Sequence, residues 1–295
     1  ISKLLAARNY ASIFVFCFDC AARLFGNKAG TLVARRKKMG IDVIIVIYNK
    51  KIQQVHSLPL LQTADEVKQI IICDNSDVQN NDYHATSSCD KVTYIPMGGN
   101  VGLSKAYNTA VARVSSEFVL ILDDDTKLSV DFFKKLASNV KMNKADVYVP
   151  LVRSEKILMS PCHKGRYRFT AFDSEEDIRS PYSAINSGLL IRRTIFDSIS
   201  YNNDLFLDMI DHAFFDNLRL RNVKSHVMSD IVLFQNYSRE TDNEEKACKR
   251  FKITKKDNRV YYNHSFVGKV FCELQLIFWK IKAMFKFNDF KVLFW

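Results

Sequence analysis

Three consecutive carboxylates, Asp123, Asp124 and Asp125, close an apolar run at residues 118–122. Two carboxylates about 5 Å apart repel by about 3 kcal/mol at an effective dielectric of about 20. A fold can avoid that cost by splaying the side chains into water, or use it by holding a cation. A second acidic pair, Asp208 and Asp211, is spaced three residues apart, which puts both on one face of a helix. A solvated helix start produces the same spacing. Three further polar clusters follow apolar runs: Tyr48-Asn49, Asp74-Asn75 and Asn100-Val101-Gly102. Turns are polar in any protein, which accounts for each cluster singly but less well for the triple aspartate.

The elements that must position these groups are legible from hydrophobic periodicity. "IDVIIVIYN" (41–49) is a β-branched run of the kind found in strands buried on both faces. "VKQIIICDNSD" (67–77), "KVTYIPM" (91–97), "SEFVLILDDD" (116–125) and "ADVYVPLV" (145–152) predict four more strands. "GGNVGLSKAYNTAVARV" (98–114) places Ala106, Ala110, Val111 and Val114 on one helical face, and "SVDFFKKLASNVKM" (129–142) is amphipathic. Strands alternating with helices predict an α/β fold with a mostly parallel sheet and helices on both faces. Ligands of such sheets bind beyond the carboxyl ends of the strands, where all four polar clusters fall.

Charge is unevenly placed. The net +11 comprises +7 in residues 1–40 and +9 in residues 246–295, which leaves −5 for residues 41–245. An acidic body with two basic ends argues against a nucleic-acid groove and for ends that meet an anionic surface. Seven cysteines without regular spacing, among them an isolated Cys17/Cys20 pair, fit reduced thiols in a cytoplasmic protein better than a zinc site. No uninterrupted apolar run is long enough to span a bilayer. Residues 10–18 are apolar and follow Arg8, as in a signal peptide, but no small-residue cleavage site follows. A chain that opens on Ile1 is expected to lack its true start.

Neither GxGxxG after the first strand nor GxxxxGK[ST] occurs, so the backbone offers no glycine-rich phosphate cradle. A metal held by carboxylates is the alternative way to neutralise a diphosphate. At this point the ordered set "VIIVIYN", "IIICDNSD", "NVGLSKAYNTAV" and "LILDDDT" resembles family 2 glycosyltransferases of the GT-A fold. The resemblance is to bacterial enzymes that transfer rhamnose or galactofuranose. "AINSGLLIRRTIFDSI" (184–199) is similar to the family's Ser-Gly segment beside the acceptor. "LFLDMIDHAFFDNLRLRN" (205–222) is similar to the segment carrying the catalytic base, and "RVYYNHS" (259–265) to its Arg-x-Tyr-Tyr stretch.

The resemblance, over residues 41–265, implies roles. Ile47, Tyr48 and Asn49 would line the nucleotide site, with Asp74 on the base and Asn75 beside it. Asn100, Gly102, Ser104 and Asn108 would hold the nucleotide-sugar near a helix N-terminus. Asp123 and Asp125 would be the outer members of an Asp-x-Asp motif. Asp125 would coordinate Mg²⁺ or Mn²⁺, Asp123 would face ribose and metal, and Asp124 would be solvated. Ser187, Gly188 and Asp208 would border the substrates, and Asp211 would be the general base of an inverting transfer. Acceptors would be surface polysaccharides or lipid-linked glycans, with the enzyme peripheral on the inner face of the cell membrane.

The chain departs from the family pattern in three places. Ala213 stands where an acidic residue is usual, and Asn217 where Arg is frequent, with Arg219 and Arg221 nearby. Gln235 or Asn236 replaces a metal-ligand His. Domain expectations are a basic, apolar segment at 1–40, a GT-A domain at 41–245 and a basic amphipathic segment at 246–295. Within the GT-A domain the nucleotide-sugar half is 41–150 and the acceptor half 151–245. Residues 266–295 interleave Phe and Leu with Lys, as either core packing or an interfacial helix does. Two other functions stay open: a sugar-phosphate nucleotidyltransferase, and a catalytically weakened membrane-surface binding protein of the same fold.

Overall fold

The computed structural model describes residues 39–78, 90–155, 157–235 and 243–294. The N-terminal segment of the sequence reading, the Cys17/Cys20 pair and Asn236 lie outside them. The chain divides into two units at Lys38/Met39, and the second, Met39–Trp295, is the one described.

Its first half runs β1 (Ile41–Ile47), α1 (Leu58–Thr63), β2 (Val67–Asp74), β3 (Val92–Pro96), α2 (Leu103–Val111), β4 (Phe118–Asp123), α3 (Phe132–Met142) and β5 (Val147–Arg153). Every strand expected there is present. The second half adds short strands β6 (Leu158–Ser160), β7 (Cys162–Lys164), β8 (Phe169–Ala171), β9 (Tyr182–Ser183) and β10 (Leu190–Arg192). It then continues with α4 (Ile210–Leu220), β11 (Ser225–Phe234), α5 (Glu244–Tyr261) and α6 (Phe266–Phe287). The main sheet has the order β11-β5-β10-β4-β1-β2-β3, with β6 added beside β5, and β7, β8 and β9 form a separate small sheet. Strands β1 to β5 and β11 run parallel, while β10 and β6 run against them.

Alternation along β1 splits the core into two layers. Val43, Ile45 and Ile47 face α1 and α3 through Leu58, Leu61, Phe132 and Leu136. Ile44 faces the other layer, built from Ala106 and Ala110 of α2 and Phe214 and Leu218 of α4. Phe251, Tyr261, Cys272 and Leu276 of α5 and α6 join that second layer. The basic C-terminal segment therefore packs on the body by one face.

One charge is buried inside this frame for a structural reason. Asp42 accepts hydrogen bonds from Ser115 N (2.6 Å), Ser116 N (2.8 Å) and Ser116 Oγ (2.6 Å). It thereby pins the turn that leads into β4.

Strand register decides where the polar clusters meet. Ile47 pairs with Asp74, Asp74 with Pro96, and Val46 with Asp123, so these strand ends form one edge. β10 brings a further segment to that edge by wedging between β4 and β5. Gly188 precedes it with φ +77°, and a Cβ there would lie 2.4 Å from Leu233 Cδ1 and 2.7 Å from Pro150 Cγ. Only glycine suits both the backbone and the space.

Candidate active site

The residues expected on the nucleotide side come together at the edge. Tyr48 is exposed and donates its hydroxyl to Asp77 Oδ2 at 2.6 Å. Asn49 adopts φ +52° and donates its N–H to Ser76 Oγ at 2.7 Å. Ile47 is buried and contributes its carbonyl, which accepts from Asn75 N at 2.9 Å. The Asn75 amide bridges to the glycine turn: Nδ2 donates to Asn100 Oδ1 at 3.0 Å and Oδ1 accepts from Val101 N at 2.8 Å. Gly102 has φ +89°, and a Cβ there would lie 2.8 Å from Phe206 O.

Three expected donor contacts are placed otherwise. Asp74 is fully buried, accepting from the Tyr94 hydroxyl at 2.7 Å and Ser76 N at 3.1 Å. Ser104 is also fully buried, and its hydroxyl has no hydrogen-bond partner among the described residues. Asn108 faces another loop: Nδ2 donates to Tyr201 O (2.9 Å) and Asn203 Oδ1 (2.8 Å), and Oδ1 accepts from Tyr201 N (3.0 Å). These residues are engaged with, or buried in, the scaffold around the edge.

The three aspartates after β4 have separate fates. Asp124 pairs with Lys50 Nζ at 2.7 Å. The Asp125 carboxylate accepts no hydrogen bond from a described residue, while its backbone carbonyl meets His56 Nδ1 at 3.0 Å. Asp123 accepts from Gln235 Nε2, which also donates to Ser187 Oγ at 2.6 Å. Burial raises the Asp123 pKa, the Gln235 and Ser187 hydrogen bonds lower it, and the charges of Asp125 and Asp124 raise it again. Gln235, one of the two residues expected where the resemblance implied a histidine ligand, thus lies against Asp123, and its amide cannot supply an imidazole.

No group of three or more His, Cys, Asp or Glu side chains that could hold a metal occurs among the described residues. The donor set still fits a magnesium-like ion, which is held by one or two carboxylates with the remainder from phosphate and water. Asp123 and Asp125 would be those carboxylates, and the Asp125 carboxylate accepts no hydrogen bond from a described residue. The histidines nearby are otherwise engaged: His56 Nδ1 meets the Asp125 carbonyl at 3.0 Å, His212 Nδ1 meets Ser183 Oγ at 2.7 Å, and His226 Nε2 meets Asn139 Oδ1 at 3.2 Å.

Across from this pair, Asp211 sits in the first turn of α4. Its pKa is pushed up to about 8, first by burial and next by the charge of Asp123. The Asn186 backbone N–H lowers it, and Asp208 raises it. Asp208 is engaged by the Thr254 hydroxyl and lies 3.7 Å from Arg250. His212 is pushed down to about 3 by burial and by Lys164 and Arg219, so it is neutral at physiological pH. Of the neighbouring groups, Asp211 is the one suited to exchange a proton near neutrality.

Asp208, Asp211 and His212 line a cavity of about 410 Å³ that Arg250 of α5, Tyr262 of the turn after it and Trp279 of α6 close. A larger hollow of about 670 Å³ opens on another side of α4, around Asp216 and Asn217. It contains none of Asp123, Asp125, Asp208 or Asp211, whereas the smaller one is lined by Asp208 and Asp211 but by neither Asp123 nor Asp125.

Sequence reasoning missed Asp257. This fully buried carboxylate on α5 accepts from Phe206 N (3.0 Å), Leu207 N (2.8 Å) and Asp208 N (2.8 Å). It holds the loop that delivers Asp211, and Phe206 O in turn accepts from Leu103 N at 2.7 Å at the start of α2. The available signal was an acidic residue alone in the lysine-rich stretch "KITKKDNR" (252–259).

Comparisons with known proteins bear on the family and the fold. A family model described as Glycosyl transferase family 2 matches residues 42–199, more than half of the chain. The structure of TarS 1–349 from S. aureus in complex with UDP aligns with a TM-score of 0.50 at 17% identity, covering 86% of this chain and 73% of that one. GalNAc-T7 with UDP, GalNAc and Mn²⁺ aligns with a TM-score of 0.50 at 14% identity. That match covers 68% of this chain and 44% of the other, so this chain spans less than half of the GalNAc-T7 chain. At these identities the likeness concerns the fold. No curated protein sequence matches the chain.

Proposed function

The chain belongs to glycosyl transferase family 2, and from that premise we propose that it is an inverting enzyme using a nucleoside-diphosphate sugar, with Asp211 as general base. The observation that supports this most is the place of Asp211, in the first turn of α4 and lining the cavity there with Asp208, close enough to Asp123 for that charge to raise its proton affinity. The donor lies along the edge made by Tyr48, Asn49, Asn75, Asn100 and Gly102. The donor class follows the similar structures, which hold UDP. The sugar, rhamnose or galactofuranose, follows the resemblance of the motifs.

Asp123 and Asp125 would hold Mg²⁺ or Mn²⁺, which when bound stabilises negative charge on the departing diphosphate. Lys50 keeps Asp124 away from that task. Ser187 and Gln235 orient the Asp123 carboxylate by hydrogen bonding. The acceptor enters the cavity beside α4, and Asp211 takes its hydroxyl proton as the oxygen attacks the anomeric carbon. Attack comes from the face opposite the diphosphate, so no covalent enzyme intermediate forms. Asp208, held by Thr254, lies beside the base, and its charge adds to the proton affinity of Asp211. The acceptor in this reading is a surface polysaccharide or lipid-linked glycan at the cytoplasmic face of the cell membrane.

A panel of nucleotide-sugars, assayed with Mn²⁺ or with chelator, tests the reading. A donor at 100 times its dissociation constant stabilises by about 2.7 kcal/mol, a rise of several degrees in melting temperature. The expected result is metal-dependent stabilisation by one donor and release of its nucleoside diphosphate. Release of pyrophosphate from a nucleoside triphosphate and a sugar phosphate would indicate the nucleotidyltransferase instead. Donor binding without any turnover would indicate the non-catalytic protein.

A further inference from the structure

Helix α6 has two apolar faces, and only one of them is used by the described body. Gly268, Cys272 and Leu276 are buried along the inner face. On the opposite side Val267, Val270, Leu274, Ile277, Ile281 and Phe285 are exposed, Leu274 by 62% and Phe285 by 74%. Steps of three and four residues keep them in one stripe, about 27 Å long at 1.5 Å per residue. An exposed apolar stripe of that length marks a surface that meets something.

Charge indicates what it meets. Lys269 and Lys280 border the stripe on one side and Lys282 on the other, and Lys286 and Lys291 follow. Glu273, the acidic residue of the helix, is held by Arg259 at 2.7 and 2.9 Å. Lysines in such positions lay their stems along apolar surface and raise their ammonium groups to a polar boundary. No described helix is long and apolar enough to cross a membrane. The combination is that of a helix lying in the plane of an interface. The inner face carries Gln275 and Trp279, which line the cavity that holds Asp211.

We propose that α6 lies in the plane of an anionic lipid leaflet through this outer stripe and so holds the Asp211 cavity at the membrane surface. Attachment stands on the stripe and its lysines, whereas the benefit for a lipid-borne acceptor rests on the function proposed for that cavity.

Sedimentation of the full chain with vesicles tests it, using phosphatidylcholine alone or mixed with phosphatidylglycerol. The combined variant Leu274→Gln/Ile277→Gln/Ile281→Gln alters the stripe at positions outside the core. Wild type is expected to bind the anionic vesicles, less at high salt but still measurably, and neutral vesicles weakly. The combined variant should bind the anionic vesicles at least about tenfold more weakly, with unchanged circular dichroism and unchanged donor hydrolysis in vesicle-free solution. Because residues 1–38 are present in both proteins, that loss locates the attachment on α6. Equal binding by the two proteins overturns the proposal. So does a wild type that ignores vesicles, or one that dimerises in solution through the stripe and becomes monomeric in the variant. Binding without turnover of any nucleotide-sugar would sustain attachment and remove the catalytic reading alone.

Discussion

Asp257→Asn is expected to weaken both the fold and the reaction, although Asp257 lies in no motif and touches no substrate. Three backbone N–H groups donate to its carboxylate within 3.0 Å. A hydrogen bond to a charged group contributes about 1.5–3 kcal/mol. The three share one acceptor group, so their contributions do not add. Asparagine retains one oxygen, which can keep the bonds from Leu207 and Asp208, but it turns an NH₂ toward the Phe206 N–H. One buried donor then loses its partner and the group loses its charge, for an expected cost of about 2–4 kcal/mol. Urea unfolding reads this as a lower midpoint at unchanged slope. The second consequence is catalytic. The loop at 206–208 leads directly into α4 and Asp211, and a displacement of about 1 Å costs up to about 10²-fold in rate. Turnover of the folded variant should fall at least about tenfold. An unchanged midpoint would refute the hydrogen-bond argument. A lowered midpoint with normal turnover would show that the loop keeps its place without Asp257.

The carboxylates after β4 should separate cleanly: Asp125→Asn is expected to abolish metal-dependent donor binding in a thermal-shift titration, whereas Asp124→Asn, which loses the Lys50 pair, should bind within a few-fold of wild type. The pH profile follows from Asp211, whose pKa is raised to about 8 by burial and by Asp123. A base must be ionised, so turnover without saturating metal should rise with pH through about 8, and cation at Asp123 should move that midpoint down. Because the folded pKa lies above the unfolded value, its stabilising contribution is complete below about pH 4 and is lost as pH rises toward about 8. Asp211→Asn should therefore raise the melting temperature more at alkaline than at acid pH.

The parallel half of the sheet was legible because both faces of β1, β2 and β4 are buried, which leaves long β-branched runs with polar ends. The strand β10 was not, because three residues carry no periodicity; its place between β4 and β5 is set by Gly188 packing on Pro150 and Leu233. The polar edge was readable as a collection of strand ends, since register alone brings Ile47, Asp74 and Asp123 together. The roles of Asp74 and Asn108 were less readable: each polar side chain could face ligand or scaffold, and only the structure shows Tyr94 and Tyr201 taking them. Asp257 was hidden because its partners are backbone N–H groups some fifty residues away. Spacing along the chain carries no trace of such bonds. The C-terminal segment left core packing and an interfacial helix open, and α6 packs one face while exposing the other.

Transfer by Asp211→Asn and Asp208→Asn, compared in single-turnover reactions at saturating donor, tests the central claim most directly. The account predicts a loss of about 10²–10⁴-fold for Asp211→Asn with donor affinity little changed, the share general-base catalysis usually contributes, and a milder effect for Asp208→Asn. Near-normal transfer by Asp211→Asn together with a collapse in Asp208→Asn would contradict it and move the base to the other carboxylate.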